Sequence, residues 1–108
     1  MTKLNEKNSK FAVAKSSKEV VNNLITRLSK TIYKYAISEG FESNEIDEYF
    51  FVNVNRYADH IECEVRAELS YYGLNTLCAQ LNPIVQKYDP TAYFEPVECG
   101  IIISYIRD

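Results

Sequence analysis

The chain has 108 residues, 46% of them hydrophobic and 25% charged, and a formal net charge of −3. That length holds one domain around one core, and those fractions belong to an ordinary globular chain, not a disordered one. No apolar run is long enough to cross a bilayer, and glycines at 40, 73 and 100 cannot build a GxGxxG or phosphate loop.

Residues 1–15 are polar and basic and are expected to form a mobile arm, with the alternation in KFAVAK suited to a short edge strand. Residues 16–108 are expected to form the single domain. The stretch MTKLNEKNSK has no apolar segment behind its basic residues, so a signal peptide is not expected. Ser16-Ser17-Lys18-Glu19 reads as a capping box that opens a helix. Val21, Leu24, Ile25, Leu28, Ile32, Tyr35 and Ala36 then recur at three- and four-residue steps and make one apolar stripe. Arg27, Lys30 and Lys34 fall on the other side, and Gly40 supplies a left-handed residue to end the helix.

FESNEIDE reads as an acidic loop. In YFFVNVNRY, Phe50, Val52 and Val54 alternate with Tyr49, Phe51, Asn53, Asn55 and Tyr57. In HIECEVRAELS, Ile61, Cys63, Val65, Ala67 and Leu69 alternate with His60, Glu62, Glu64, Arg66 and Glu68. A period of two marks strands with one dry and one wet face. A hairpin turning at Tyr57-Ala58-Asp59-His60 pairs Val54 with Cys63, Val52 with Val65 and Phe50 with Ala67, and Phe51 with Arg66 on the wet side. A slip of one residue would mix the faces.

A second helix follows Gly73, with Leu74, Leu77, Cys78, Leu81, Ile84, Val85 and Tyr88 in helical spacing through Pro83. Proline inside a helix costs about 3 kcal/mol, so a bend is expected there, or a stop at Asn82 and a restart at Pro83. Asp89-Pro90 ends the helix. Pro96 separates the short extended piece AYFE from a last strand, VECGIIISYIR, which is apolar on both sides. The order α-β-β-α-β predicts an α+β two-layer sandwich, a mainly antiparallel sheet with helices on one face and room for one short extra strand.

Chemistry is sparse in this pattern. His60, Glu62 and Glu64 share the wet strand face and are the candidate ligand-binding residues. Without a CxxC pair or a second histidine they predict no metal site, and no cofactor is implied. Cys63 lies three residues from His60 and faces the opposite side, while Cys78 and Cys99 fall on apolar stripes, so no thiol has a base beside it. Three reduced cysteines fit a cytoplasm-like compartment. Nothing predicts an enzyme. Tyr49, Phe51 and Tyr57 on a sheet would suit stacking of nucleic-acid bases, but Glu62, Glu64 and Glu68 beside them repel phosphate. Nucleic acid and membrane are therefore not expected partners.

Residues 1–40 carry eight Lys or Arg against three acids, and residues 41–108 four against twelve. Such halves can attract within a monomer or between subunits. Aromatic side chains on a charged face mark an association surface. The expected interface is Tyr49, Phe51, Tyr57, Arg66 and Ile102, with the Arg66 guanidinium stacked on Phe51, in a non-enzymatic module that forms a homo-oligomer or binds a protein partner. The last strand adds Ile102 and Ile106 to that face or, if inverted, Ile101, Ile103 and Tyr105. The alternative expectation is a small ligand-binding protein or hydrolase whose site forms between subunits around His60, Glu62 and Glu64. The same order of elements occurs in phage tail-completion subunits, a likeness of layout alone that suggests a phage or mobile-element setting.

Overall fold

The computed structural model describes residues 17–107; the expected basic arm, the KFAVAK strand and the Ser16 cap lie outside them. Its elements are α1 (Ser17–Ser38), α2 (Ser43–Tyr49), β1 (Phe50–Arg56), β2 (His60–Ala67), α3 (Tyr71–Gln86), β3 (Glu95–Glu98) and β4 (Ile101–Arg107). The four strands form one antiparallel sheet in the order β1-β2-β4-β3. The predicted class is what is seen, with a third, short helix; the extra strand is β3, which contains Pro96, and not the AYFE piece expected before that proline.

The hairpin register is as the alternation requires: Val54 opposes Cys63, Val52 opposes Val65, and Phe50 opposes Ala67. Tyr57 N–H donates to His60 O at 2.8 Å, closing the turn over Ala58 and Asp59. Because opposed residues share a face, β2 passes its pleat on to β4. Val65 opposes Ile102, Cys63 opposes Ser104 and Ile61 opposes Ile106, so Ile102, Ser104 and Ile106 are buried. Ile102 is 0% exposed and belongs to the core, which corrects its expected place at the interface. Strand β4 is apolar on both sides, so its own sequence carries no phase; pairing with β2 supplies it.

Helix α1 packs across β1 and α3, and α3 packs on β3 and β4. The predicted stripe is the one used: Leu24, Leu28, Ile32, Tyr35 and Ala36 are buried, with Val21 and Ile25 packed at its margin. Gly40 adopts φ +97° and ends the helix, as its sequence position implies. Tyr35 Oη donates to Gly73 O at 3.4 Å, tying α1 to the start of α3.

Four local expectations are corrected. FESNEIDE contains a helix, in which the Glu45 carboxylate accepts from Glu42 N–H at 2.8 Å and Ile46 is buried. Gly73 lies inside α3, whose cap is Ser70, with Oγ accepting from Gly73 N–H at 3.2 Å. Of the two expectations at Pro83, the stop at Asn82 with a restart is overturned: helix α3 runs through Pro83, and Leu81 and Val85 on either side of it are both fully buried. VECGIIISYIR is not one strand but a hairpin. Gly100 turns it at φ +79°, where a Cβ would lie 3.2 Å from Ala67 O. Ala67 N–H donates to Gly100 O at 2.8 Å, docking that turn on the end of β2.

Two side chains hold the long connection from α3 to β3. Asn82 Oδ1 accepts from Phe94 N–H at 2.7 Å. Asp89 is 9% exposed; Oδ1 accepts from Thr91 N–H at 3.0 Å and from Thr91 Oγ1 at 2.7 Å, and Oδ2 accepts from Arg107 N–H at 3.0 Å. These bonds, led by that from Arg107 N–H, hold the Asp89 carboxyl below its usual range. Its stabilisation is therefore present above the ordinary carboxylate pKa and fades as pH falls through the lower folded value. Asp89→Asn is expected to lower stability at neutral pH, with the difference from wild type shrinking as pH drops through the carboxylate range in urea titrations. A gap that stays constant at every pH would show that charge plays no part.

Ser104 Oγ is buried with no hydrogen-bond partner among the described residues, opposite Cys63. An unsatisfied buried hydroxyl costs about 1–3 kcal/mol, so Ser104→Ala should raise the unfolding free energy by about 1 kcal/mol. A destabilised variant in the same urea titration would mean that the hydroxyl has a partner.

Candidate interaction face

The helices cover one side of the sheet, and the other side presents four cross-strand rows. Phe51, Arg66 and Ile101 form one row, then Asn53, Glu64, Ile103 and Glu95, then Asn55, Glu62 and Tyr105, and last His60 and Arg107. Phe51 is 57% exposed, Tyr105 53% and Tyr57 47%, while Ile101 and Ile103 are partly exposed. No described helix lies over them. The face is charged along β2, mostly apolar along β4, and carries Phe51 with Asn53 and Asn55 along β1.

At one end, Phe51 and Arg66 border a groove of about 710 Å³ with Asp47, Tyr49, Cys99 and Ile101. Arg66 does not stack on Phe51 as expected. Its Nε donates to Glu64 Oε2 at 3.1 Å, an ion pair with Arg66 mostly exposed and worth about 0–1 kcal/mol at such a surface. Tyr49 ends α2 and is not a strand residue; its ring lies 5.9 Å from Phe41 and packs on the core margin while lining the groove.

At the other end, the rings of Tyr57 and His60 stack with centroids 4.9 Å apart, and Tyr105 meets His60 edge-on at 5.7 Å. His60 Nδ1 lies 2.7 Å from Asp59 Oδ1, and this bond holds the Asp59 carboxyl below its usual range. A shallow hollow of about 450 Å³ is lined by Asp59, His60, Tyr105 and Arg107. Glu62 and Glu64 follow His60 along β2 but do not line this hollow. Among the described residues, no group of three or more His, Cys, Asp or Glu side chains is placed to hold a metal ion.

The structure thus brings Tyr57, His60 and Tyr105 together, groups Phe51 with Arg66 and Glu64, and sends Ile102 to the opposite side. Of the two phases the sequence allows for the last strand, the structure takes the one that places Ile101, Ile103 and Tyr105 on this face and buries Ile102 and Ile106. The available signal was the pairing of Glu62 with Tyr105, since a residue opposite a wet-face glutamate must itself be on the wet face.

The cysteines separate by environment. Cys63 is 0% exposed and burial pushes its thiol up to about 12; burial also raises Cys78. Cys99, expected on a core stripe, is exposed in the β3–β4 turn because Gly100 reverses the chain there. A thiol reagent applied to the native protein should therefore label Cys99 rapidly, with Cys63 protected until unfolding. Equal rates at Cys63 and Cys99, read by mass spectrometry, would contradict the buried assignment.

Among the described residues no helix is long and apolar enough to cross a membrane. Comparison with known protein families, curated proteins and solved structures finds no match for this chain.

Proposed function

We propose that this chain is a non-enzymatic assembly module that self-associates through its open sheet face, centred on Phe51. The observation that carries this reading is a helix-free sheet face on which Phe51 of β1 and Tyr105 of β4 are exposed and Ile101 and Ile103 of β4 partly so, with Arg66, Glu64 and Glu62 of β2 running between them. Exposed aromatic and aliphatic side chains interleaved with charges mark an association surface. The setting proposed for it is a reducing, cytoplasm-like compartment, supported by three unpaired cysteines, and an accessory or mobile-element role follows from size and layout alone.

A second reading, a small-ligand or hydrolytic site completed between subunits around His60, Glu62 and Glu64, has one observation in its favour. The hollow beside His60 holds a histidine oriented by Asp59, the pairing a general base uses. Against it, the two glutamates lie outside the hollow, and it is open to water on a hairpin end.

Full burial of an aromatic side chain contributes roughly 1.5–3 kcal/mol, and a two-fold axis counts it twice. Phe51→Glu should therefore weaken association at least tenfold, since about 1.4 kcal/mol is a factor of ten. It should leave the fold intact, because Phe51 points away from Phe50, Val52 and Val54. Light scattering reads the first and circular dichroism the second. A wild type that is monomeric at high concentration would sink the proposal, and an unfolded mutant would show that the chain covers its own face.

A further inference from the structure

The two edges of the sheet are unlike. Strand β3 has four residues, carries Pro96 and is bulged between Pro96 and Glu98, the usual devices that stop an edge from pairing. Strand β1 has seven residues in regular register, with no proline and no charge before Arg56. No described strand pairs with its outer side.

The hydrogen bonds on its inner side decide which groups face outward. Tyr57 N–H donates to His60 O, and Glu68 N–H donates to Tyr49 O at 3.1 Å. In an antiparallel ladder the bonding residues alternate, so Phe51, Asn53 and Asn55 bond inward to β2. The N–H and C=O groups of Val52 and Val54 point out from the edge. Beside them, Ser29, Ile32 and Tyr33 of α1 with Ile46 and Asp47 of α2 line a groove of about 310 Å³ against Phe50, Phe51 and Val52. Thr26, Ser29, Tyr33 and Ile37 share that flank of α1 at helical spacing and carry no charge, and Tyr33 and Ile37 are each 46% exposed.

We infer that β1 pairs antiparallel with β1 of a second copy of this chain, about a two-fold axis at Asn53, joining two four-stranded sheets into one. The inference rests on the self-association proposed above and places its seam at the β1 edge that borders the open face, beside Phe51. That register sets Val52 against the second copy's Val54 and Asn53 against the second copy's Asn53. It also sets Phe50 against the second copy's Arg56, so that at each end of the seam a basic side chain comes beside the groove that holds Asp47. Acid before β1 and base after it make the strand complementary to itself when antiparallel; a parallel pairing would set like beside like. The two open faces become continuous, with Phe51 of each copy close to the axis.

The test is a cross-link through one introduced surface cysteine in the full chain carrying Cys99→Ser, because Cys63 and Cys78 are buried. Asn53 would be a non-hydrogen-bonded pair with Cα atoms about 4.5 Å apart, within the roughly 4.4–6.8 Å that a disulfide spans. Asn53→Cys should give a covalent dimer on oxidation with diamide. Asn55→Cys, displaced from its copy by about 13 Å along the strands, should not. Val52→Pro removes an outward N–H along with a valine side chain packed at the core margin, so its fold is checked by circular dichroism first; the folded variant should lose association at least tenfold. A wild type that associates, while Asn53→Cys fails to cross-link and Val52→Pro still associates, would overturn the seam and leave the open-face reading standing. A wild type that never associates would overturn both.

Discussion

Strand β2 is hydrogen-bonded on both edges, and its pleat dictates which residues of β1 and β4 meet the helices. Ile61, Cys63, Val65 and Ala67 point one way. Every residue opposite them must follow, because directly opposed side chains share a face. This single constraint builds the rows Val52-Val65-Ile102 and Val54-Cys63-Ser104 beneath α1 and α3. A slip of β1 by one residue against β2 would turn Phe51, Asn53 and Asn55 toward the helices and expose Val52 and Val54. Burying the two asparagine amides without partners outweighs any gain in ladder geometry.

The same constraint produces the open face as a remainder. Two long helices are enough to cover one side of a four-stranded sheet, and the residues that β2 sends the other way are left beside solvent. That side carries acids along β2, with Phe51 on β1 and Ile101, Ile103 and Tyr105 on β4 partly or largely exposed beside them. The charge asymmetry of the sequence takes on a spatial meaning here. Arg27, Lys30 and Lys34 lie on α1, across the sheet from Glu62 and Glu64, and the ion pairs Asp59–His60 and Glu64–Arg66 each join neighbours on the hairpin.

Polar side chains do their work where the chain lacks regular structure. Asp89 and Asn82 together accept four hydrogen bonds from Thr91, Phe94 and Arg107, and so fasten the segment that carries the chain from α3 to the far edge of the sheet. Gly100 then allows the tight return into β4, over the Ala67 carbonyl. This corner determines where Cys99 and the edge strand β3 come to lie, and hence why β3 is short and bulged while β1 is long and regular.

Much of this architecture was legible in the chain itself. The stripe of α1, the left-handed stop at Gly40, the hairpin register and the α+β class follow from periods of 3.6 and 2, because half-buried elements must segregate polar from apolar residues. The place of Phe51 on an exposed face was legible for the same reason. What lacked a signal was anything apolar on both sides or stabilised by partners distant in sequence. The phase of β4 comes from pairing with β2, so Ile102 went inward and Tyr105 outward. The helix Ser43–Tyr49 is short, and it draws on burial of Ile46 that only the assembled core provides. Continuity of α3 through Pro83 depends on Leu81 and Val85 both being buried. The Arg66 guanidinium chose Glu64 over Phe51 because a carboxylate on the same strand face lies within hydrogen-bond reach. Local pattern determines which side of an element is dry; only the tertiary structure decides which neighbour makes it so, because burial is a property of the assembled chain and not of any segment.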